Sequence, residues 1–230
     1  GSSEIEIDYR KKIFKTKNYL IKEGDIITID GTTGRIILGE VKTMKPEISS
    51  DFQKVMSWSD IFRKLRVRTN SETPIDTKIA RDFGAEGIGL CRTEHMFFDE
   101  DRILSVRQMI LSKSKNDRDI ALSKLLPYQK KDFIEIFKIM RGLPVTVRLL
   151  DPPLHEFLPK NKNEIELVAK SLNLSVSEIE IRIQELHEQN PMLGHRGCRL
   201  AISFPEIYEM QCKAIFEALV ECKKNKIKSI

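Results

Sequence analysis

Two short β-rich runs dominate the apolar pattern in the first forty residues. Residues 26–30 and 35–38 are rich in isoleucine and flank the glycine-bearing segment 31–34, which predicts a β-hairpin. An isolated hairpin is marginally stable in water. We therefore expect residues 4–41 to belong to a larger β-containing domain, most of which lies outside this sequence.

Residues 42–62 show no clear period. They contain Pro46 and several serines, and this composition predicts a linker that becomes helical near 52–58. Trp58, the single tryptophan, is predicted to be a packing anchor rather than a ligand contact. The opening Gly1-Ser2-Ser3 is typical of a cloning remnant.

From residue 63 onward, apolar runs alternate with segments of helical period. The runs predict strands at 65–69, 87–91 and 145–151. The other segments predict helices at 74–83, 101–112, 128–140, 163–172, 177–188 and 205–223. This alternation implies a parallel sheet with right-handed crossovers. Only about 166 residues follow Lys64, whereas a (β/α)8 barrel takes about 250. We therefore predict an α/β fold in which 63–230 form the first three strand–helix units of a TIM-type barrel.

Local signals refine these boundaries. Thr73 is suited to cap the first helix, and Gly84 to end it, with Ile75, Ile79 and Phe83 forming its apolar face. Pro127 predicts a break before the helix 128–140.

Serine and glutamate stand three residues apart before two of the later helices. Ser177 with Glu180, and Ser203 with Glu206, predict capping boxes. The glycines Gly87 and Gly89 predict close backbone approach at the second strand.

Composition narrows the class of protein. Apolar residues make up 40% of the chain and charged residues 32%, with a formal net charge of +5. Because the lysines are scattered and form no basic stripe, we expect no nucleic-acid partner. No apolar run reaches the roughly 18 residues that span a membrane, so we expect no membrane partner either.

The four cysteines are Cys91, Cys198, Cys212 and Cys222. They show no paired spacing with each other or with histidine, so a zinc site is not expected. Free thiols fit a reducing compartment, and we predict a cytoplasmic location, with organelle targeting of a longer protein left open.

Three arginines occupy comparable positions and are the candidate binding residues. Arg92 follows the second apolar strand, and Arg148 lies in the third strand close to Asp151. Arg196 lies between Gly194 and Gly197, which leave room for a ligand. The alternative for Arg92 is an ion pair with Glu94 or Asp99, and for Arg148 a buried pair with Asp151.

Arginine has a particular use at such sites, because its planar guanidinium binds carboxylate or phosphate oxygens bidentately. Three of them could neutralise a small phosphorylated carboxylate of about three negative charges. Asp151, His195 and Arg199 are predicted to support them; Arg199 follows Arg196 by three residues, which places both on one side of a helical turn. Sequence spacing alone leaves open whether the arginines converge.

Three long motifs carry a family resemblance. They are Leu-Cys-Arg-Thr-Glu-His-Met-Phe-Phe at 90–98, Val-Arg-Leu-Leu-Asp-Pro-Pro-Leu-His-Glu-Phe at 147–157 and Asn-Pro-Met-Leu-Gly-His-Arg-Gly-Cys-Arg-Leu at 190–200. In this order they resemble the pyruvate phosphate dikinases, relatives of phosphoenolpyruvate synthase and enzyme I of the sugar phosphotransferase system. The resemblance runs from about residue 20 to the end.

The resemblance implies a phosphotransferase that interconverts ATP, phosphate and pyruvate with AMP, pyrophosphate and phosphoenolpyruvate. It implies that 4–41 are the tail of a swivelling phosphohistidine domain, 42–62 the hinge, and 63–230 the first part of the phosphoenolpyruvate/pyruvate-binding barrel. Arg92, Arg148 and Arg196 match the arginines that bind the substrate's phosphate. A nucleotide-binding domain and a homodimeric parent enzyme are also implied.

Other family features have no match in this sequence. The phosphohistidine motif is absent, and the resemblance assigns the magnesium ligands and the general-acid cysteine to later barrel strands. Magnesium is therefore implied for the parent enzyme only, and Cys91 and Cys198 are not assigned to catalysis. We expect no turnover from this polypeptide alone.

The alternatives are a stand-alone anion-sensing or binding module, a fragment of phosphoenolpyruvate synthase or enzyme I, and a structural α/β domain with internal ion pairs. The sequence stops after a helix without covering the predicted sheet edge, which favours the dikinase fragment. An open edge also predicts self-association.

Overall fold

The computed structural model describes residues 5–16, 18–44, 49–187, 190 and 192–228. It divides into two compact units, Gly1–Arg63 and Lys64–Ile230. The second unit begins one residue after the start predicted for the barrel segment at residue 63. The assignment of each unit to a parent domain stays a prediction. Predictions that involve residues 1–3, Pro46, residue 188 and Pro191 fall outside the described residues.

The described residues of the first unit form five short strands and one helix. They are β1 (Glu6–Asp8), β2 (Ile13–Lys15), β3 (Leu20–Lys22), β4 (Ile27–Asp30), β5 (Arg35–Leu38) and α1 (Ser50–Phe62). Strands β1, β2 and β3 form an antiparallel sheet, and β4 pairs with β5 in register Ile27 to Leu38. The predicted hairpin is therefore confirmed.

Helix α1 begins after Ser49, whose side chain accepts a hydrogen bond from the amide of Phe52. This confirms a helix near 52–58, which extends to Phe62. The packing role predicted for Trp58 is wrong within this structure, because 56% of Trp58 is exposed. Lys54 lies over its ring instead, with Nζ 5.7 Å from the centroid.

The second unit contains three strands and seven helices among its described residues. They are β6 (Thr69–Asn70), α2 (Pro74–Asp82), β7 (Ile88–Arg92), α3 (Glu100–Leu111), α4 (Lys115–Ile139), β8 (Val145–Arg148), α5 (Lys162–Leu172), α6 (Val176–Leu186), α7 (Cys198–Ser203) and α8 (Pro205–Lys224). Short 3-10 turns cover Thr93–Phe97 and Leu154–Phe157.

Strands β6, β7 and β8 form a parallel sheet in sequence order. This confirms the mixed α/β class and the parallel pairing. The first strand is shorter than predicted and begins at Thr69, although the Val67 carbonyl still accepts from the Glu86 amide. Gly87 has φ +144, and a Cβ there would lie 2.6 Å from the Pro144 carbonyl oxygen, which confirms the predicted close approach.

Two hydrophobic clusters form the core of this unit. One lies between the sheet and helices α4 and α8; its buried members are Ile88, Cys91, Met96, Phe133, Ile136, Phe137, Met140, Ala214, Ala218 and Cys222. The other joins α3, the first half of α4, the segment after β8, α5 and α6, and includes Phe97, Met109, Leu125, Leu150, Phe157, Val168 and Ile179. Helices α4 and α8 thus cover one face of the sheet.

Several helix predictions need correction. Pro127 does not break a helix but lies inside α4, which runs unbroken because the packing on both sides of the proline is continuous. The capping box of α6 uses Ser175 and Glu178, two residues earlier than predicted. Ser203 caps nothing, because it ends α7, and α8 follows Phe204 with no side-chain cap.

Helix α2 has the predicted Thr73 cap, which accepts from the amide of Asp76. Its apolar face, however, is not buried: Ile75, Ile79 and Phe83 are 73%, 51% and 57% exposed. The periodicity correctly predicted a helix, but it did not show that the described residues leave this apolar face uncovered. Among the described helices, none combines the length and the apolarity required to cross a membrane.

Candidate functional site

Two of the candidate arginines are neighbours across adjacent strands. Arg92 ends β7 and Arg148 ends β8, and the strand register pairs them directly. Val145 and Val147 pack against the helix-covered core, so the alternation of side chains directs Arg148 to the opposite face of the sheet. The carboxyl ends of parallel strands are where ligands bind in open α/β sheets.

Each of these two arginines is paired with a carboxylate. Arg92 Nη1 lies 2.8 Å from Glu72 Oε1. Arg148 Nη2 donates to Glu94, which is 6% exposed, and Arg148 Nη1 lies 3.1 Å from Asp151 Oδ2. The pair with Asp151 matches the alternative stated for Arg148, whereas in the described structure Glu94 pairs with Arg148 and Arg92 pairs with Glu72.

The third arginine joins the same cluster through Asp151. Arg196 Nη2 lies 2.7 Å from Asp151 Oδ2, and Arg196 Nε donates to the Asp151 carbonyl at 3.2 Å. The hydrogen bond from Arg196 lowers the pKa of Asp151, and the same bond raises the pKa of Arg196. Asp151 therefore stays ionised and links the segment after β8 to the segment before α7.

Gly197 makes this link possible. Its φ is +56, and a Cβ at this position would lie 3.0 Å from Asp151 Oδ1. The glycine thus leaves space for the carboxylate that holds Arg196. The predicted room for a ligand between Gly194 and Gly197 stays a prediction. Tyr208 fixes the same glycine, since its hydroxyl lies 3.0 Å from the Gly197 carbonyl oxygen.

The two other predicted supporting residues lie apart from the shared carboxylate. Arg199 Nη1 donates to the Leu193 carbonyl at 2.7 Å. His195 Nε2 lies 2.9 Å from Ser203 Oγ. Arg196 precedes α7 rather than lying in it, and within the described ranges Arg196 bonds to Asp151 while Arg199 bonds to Leu193. His195 and Arg199 thus stabilise the loop before α7 through these hydrogen bonds.

Four residues of the cluster were not assigned a role from the sequence. Glu72 is the partner of Arg92, and Thr93, Tyr208 and Gln211 bond to the backbone around the arginines. Gln211 is 0% exposed, and burial of a glutamine requires partners for both ends of its amide. A glutamine among the apolar positions of a predicted helix was the available signal.

Cys91 lies on the opposite face of β7 from Arg92. It is 0% exposed, and burial, with the charges of Glu72, Glu94 and Asp132, raises its pKa to about 12. A thiol with this pKa stays protonated near neutral pH, which makes Cys91 a poor nucleophile.

The residues that the structure describes do not fit a magnesium ion. Within the described ranges, no group of three or more His, Cys, Asp or Glu side chains could hold a metal. The three carboxylates of the cluster, on Glu72, Glu94 and Asp151, are each ion-paired to a guanidinium. These carboxylates therefore serve the guanidiniums and are not arranged as metal ligands.

The chain is similar to known proteins over nearly its whole length. Residues 46–228 match the model of the PEP-binding domain of PEP-utilising enzymes. A pyruvate, phosphate dikinase of Rhizobium meliloti is 57% identical over 96% of this chain and 25% of its own length. Dikinases of Giardia intestinalis and Clostridium symbiosum are 53% and 50% identical over 95% and 98% of this chain.

The chain spans about a quarter of the length of these curated relatives. The family match covers both strand-end arginines, Arg196 and the helix that carries Gln211. From the motifs, the parallel strands and this match together, we conclude that the chain belongs to the PEP-utilising enzymes and contains the region matching their PEP-binding domain.

Proposed function

We propose that this chain is part of a pyruvate phosphate dikinase, which interconverts ATP, phosphate and pyruvate with AMP, pyrophosphate and phosphoenolpyruvate. Its contribution is the set of arginines that bind the substrate's phosphate. One observation carries the proposal: Arg92 and Arg148 are paired at adjacent strand ends, and Asp151 connects Arg148 to Arg196. Phosphoryl transfer depends mainly on positioning and charge stabilisation, which fixed guanidiniums supply.

The cluster is balanced in charge before any ligand binds. Its guanidiniums face the carboxylates of Glu72, Glu94 and Asp151, so the formal charges cancel. An anion therefore gains from directed N–H donors rather than from net positive charge. The carboxylates hold the guanidinium planes in place, which reduces the cost of ordering them when the ligand binds.

Donors remain for such a ligand. Each guanidinium has five N–H groups. Arg148 Nε is buried without a hydrogen-bond partner among the described residues, and so is Glu94 Oε2. A buried donor or acceptor without a hydrogen-bond partner costs free energy. A phosphate oxygen or a water would relieve the donor.

The finer architecture belongs to the same proposal. Residues 63–230 are the first part of a (β/α)8 barrel, with three consecutive parallel strands as the support for it. Residues 4–41 belong to the swivelling phosphohistidine domain and 42–62 to its hinge. The magnesium ligands, the phosphohistidine and the general-acid cysteine are supplied by other parts of a cytoplasmic parent enzyme.

Self-association is part of the proposal as well. Strands β6 and β8 lie at the two edges of the sheet. Five large apolar side chains on helices α2 and α8 are exposed. They are Ile75, Ile79 and Phe83 on α2, and Phe216 and Val220 on α8. Sedimentation analysis should detect dimers or larger species, and a strictly monomeric mass at all concentrations would contradict this.

Titration with phosphoenolpyruvate tests the binding site directly. We expect calorimetry with phosphoenolpyruvate and magnesium to show weak binding or none, so arginine-selective NMR is the more sensitive measurement. Phosphoenolpyruvate should shift the Nε–Hε signals of Arg92, Arg148 and Arg196, and Arg148→Ala should abolish the shifts. Arg107, which pairs with Glu164, is the control arginine. Equal shifts at Arg107 would refute a specific site.

Two assays test the assignment to a dikinase. The chain alone should form no ATP from AMP, pyrophosphate and phosphoenolpyruvate, and measurable ATP would refute the expected inactivity. In a full-length enzyme containing this segment, Arg148→Ala should lower pyruvate–phosphoenolpyruvate exchange by about 10²- to 10³-fold. Autophosphorylation from the nucleotide side should remain, because that half-reaction does not use this arginine.

A further inference from the structure

Two side chains of α8 contact all the backbone segments that carry the candidate arginines. Gln211 and Tyr208 lie one helical turn apart on α8. Neither was predicted from the sequence, and neither is among the groups proposed to touch a ligand. Their contacts are with the strand ends and with the loop before α7.

Gln211 connects the ends of β7 and β8. Its Nε2 donates to Thr93 Oγ1 at 2.9 Å, and its Oε1 accepts from the Leu150 amide at 2.8 Å. Thr93 follows Arg92 directly, and its hydroxyl donates to the Arg148 carbonyl at 3.0 Å. Gln211 and Thr93 are both 0% exposed, so water does not compete for these bonds.

Tyr208 connects the end of β8 to the third arginine. Its hydroxyl lies 2.6 Å from the Leu150 carbonyl oxygen and 3.0 Å from that of Gly197, and it can donate to either. Gly197 follows Arg196 directly. Burial, then the charge of Asp151, raises the pKa of Tyr208 to about 12, so the donor keeps its proton near neutral pH.

We infer that Gln211 and Tyr208 are positioning residues, which fix the relative placement of Arg92, Arg148 and Arg196. This inference rests on the proposed function, in which the three arginines bind a phosphate. A displacement of about 1 Å in a binding group can cost about 100-fold in activity, so fixed strand ends matter as much as the arginines themselves.

The first test needs no ligand. Relaxation of the arginine Nε–Hε groups is measured in the wild type, Gln211→Met and Tyr208→Phe. Gln211→Met should increase the mobility of Arg92 and Arg148, and Tyr208→Phe mainly that of Arg196. Arg107 and Arg118 should stay rigid in both variants. A purely structural role would loosen all five arginines together or none, and either result would overturn the inference.

Matched variants control for lost stability. Gln129 is a second buried glutamine, 1% exposed, whose nearest partner is the Met96 sulfur at 3.9 Å. Gln129→Met and Tyr128→Phe should leave the relaxation of the three arginines unchanged. If Gln211→Met fails to fold, Tyr208→Phe removes a single oxygen and still tests the inference.

The second test separates the inference from the proposed function. In the same variants, the phosphoenolpyruvate concentration needed for a half-maximal shift of the arginine signals should be about 10- to 100-fold higher than in the wild type. If the wild type shows no shift, the proposed function fails for this chain, while the ligand-free relaxation still decides the positioning role. Wild-type shifts that persist in Gln211→Met and Tyr208→Phe would overturn the positioning role alone.

Discussion

Arg148 and Arg196 contact the same oxygen atom, Oδ2 of Asp151, at 3.1 and 2.7 Å. The two arginines lie 48 residues apart in the sequence, Arg148 at the end of β8 and Arg196 in the loop before α7. A single carboxylate therefore connects the strand end to the loop before α7. This makes Asp151 the residue whose removal should reveal how the cluster is held.

Asp151→Asn should lower the free energy of unfolding by about 1–2 kcal/mol at pH 7, since it removes the shared charge from two guanidiniums. The native pKa of Asp151 lies below its ordinary value. Its contribution is therefore complete above the unfolded pKa of about 4 and is lost as the pH falls through the native pKa. Urea unfolding between pH 7 and pH 2 should show the two proteins converging at low pH.

Asp82→Asn is the control for this measurement. Asp82 pairs with Lys78 at 2.6 Å, but both side chains are more than half exposed. It should change the unfolding free energy by less than about 0.5 kcal/mol. A difference between wild type and Asp151→Asn that is constant down to pH 2 would contradict the ionic role of Asp151.

Gly197→Ala should destabilise the loop before α7. Alanine at φ +56 is strained, and its Cβ would meet Asp151 Oδ1 at 3.0 Å. The expected loss is about 1–3 kcal/mol, with weaker phosphoenolpyruvate binding because Asp151 moves. Gly142→Ala has a comparable φ of +78 but nothing within 4 Å of the new Cβ. Equal effects of the two variants on ligand binding would contradict the role given to the contact with Asp151.

The cysteines should react at very different rates. Cys198 is exposed, whereas Cys91 and Cys222 are buried, and burial raises the pKa of Cys91 to about 12. At pH 8 a thiol reagent should modify Cys198 rapidly and leave Cys91 unmodified in the native protein. Peptide mapping by mass spectrometry identifies the sites. Rapid native labelling of Cys91 would show that β7 is not packed as described, and in urea every cysteine should react.

Disrupting the ion pair between Arg118 and Glu206 should lower the free energy of unfolding strongly. The two side chains are 11% and 9% exposed, their closest N and O atoms lie 2.6 Å apart, and Arg118 also lies over the Phe204 ring. Glu206→Gln should lower the unfolding free energy by about 3–5 kcal/mol, because it leaves a buried guanidinium uncompensated. A double-mutant cycle with Arg118→Met measures the coupling.

The exposed pair Lys113 and Glu178 is the control for that cycle, with side chains 55% and 43% exposed. Its coupling should not exceed about 1 kcal/mol. A coupling between Arg118 and Glu206 as small as this would show that their pairing contributes little.

The sequence predicted most elements of the fold, because apolar period and caps are local signals. Thr73 marked the start of α2, and the isoleucine-rich runs around 31–34 marked the hairpin. The break predicted at Pro127 was wrong, because packing along the whole of α4 overrides the local tendency of proline to end a helix. The capping box of α6 was predicted two residues too late, because Ser175 and Ser177 each precede a glutamate by three residues.

The arginines were predicted from their motifs, but their partners were not. Glu72 meets Arg92 across 20 residues of sequence, and Gln211 meets Thr93 across 118. Such contacts follow from strand register and helix packing, which no local pattern encodes. The exposure of Ile75 and Phe83 likewise could not be predicted, since amphipathicity shows that a face is apolar but not what covers it.

The cancellation of charge around the arginines also affects how fast a ligand can arrive. A cluster of arginines without counterions would attract anions over about 10 Å, and its association rate would fall steeply with ionic strength. Glu72, Glu94 and Asp151 remove most of that long-range field. Capture of an anion at this site should therefore be governed by encounter and fit, with an association rate that hardly responds to added salt.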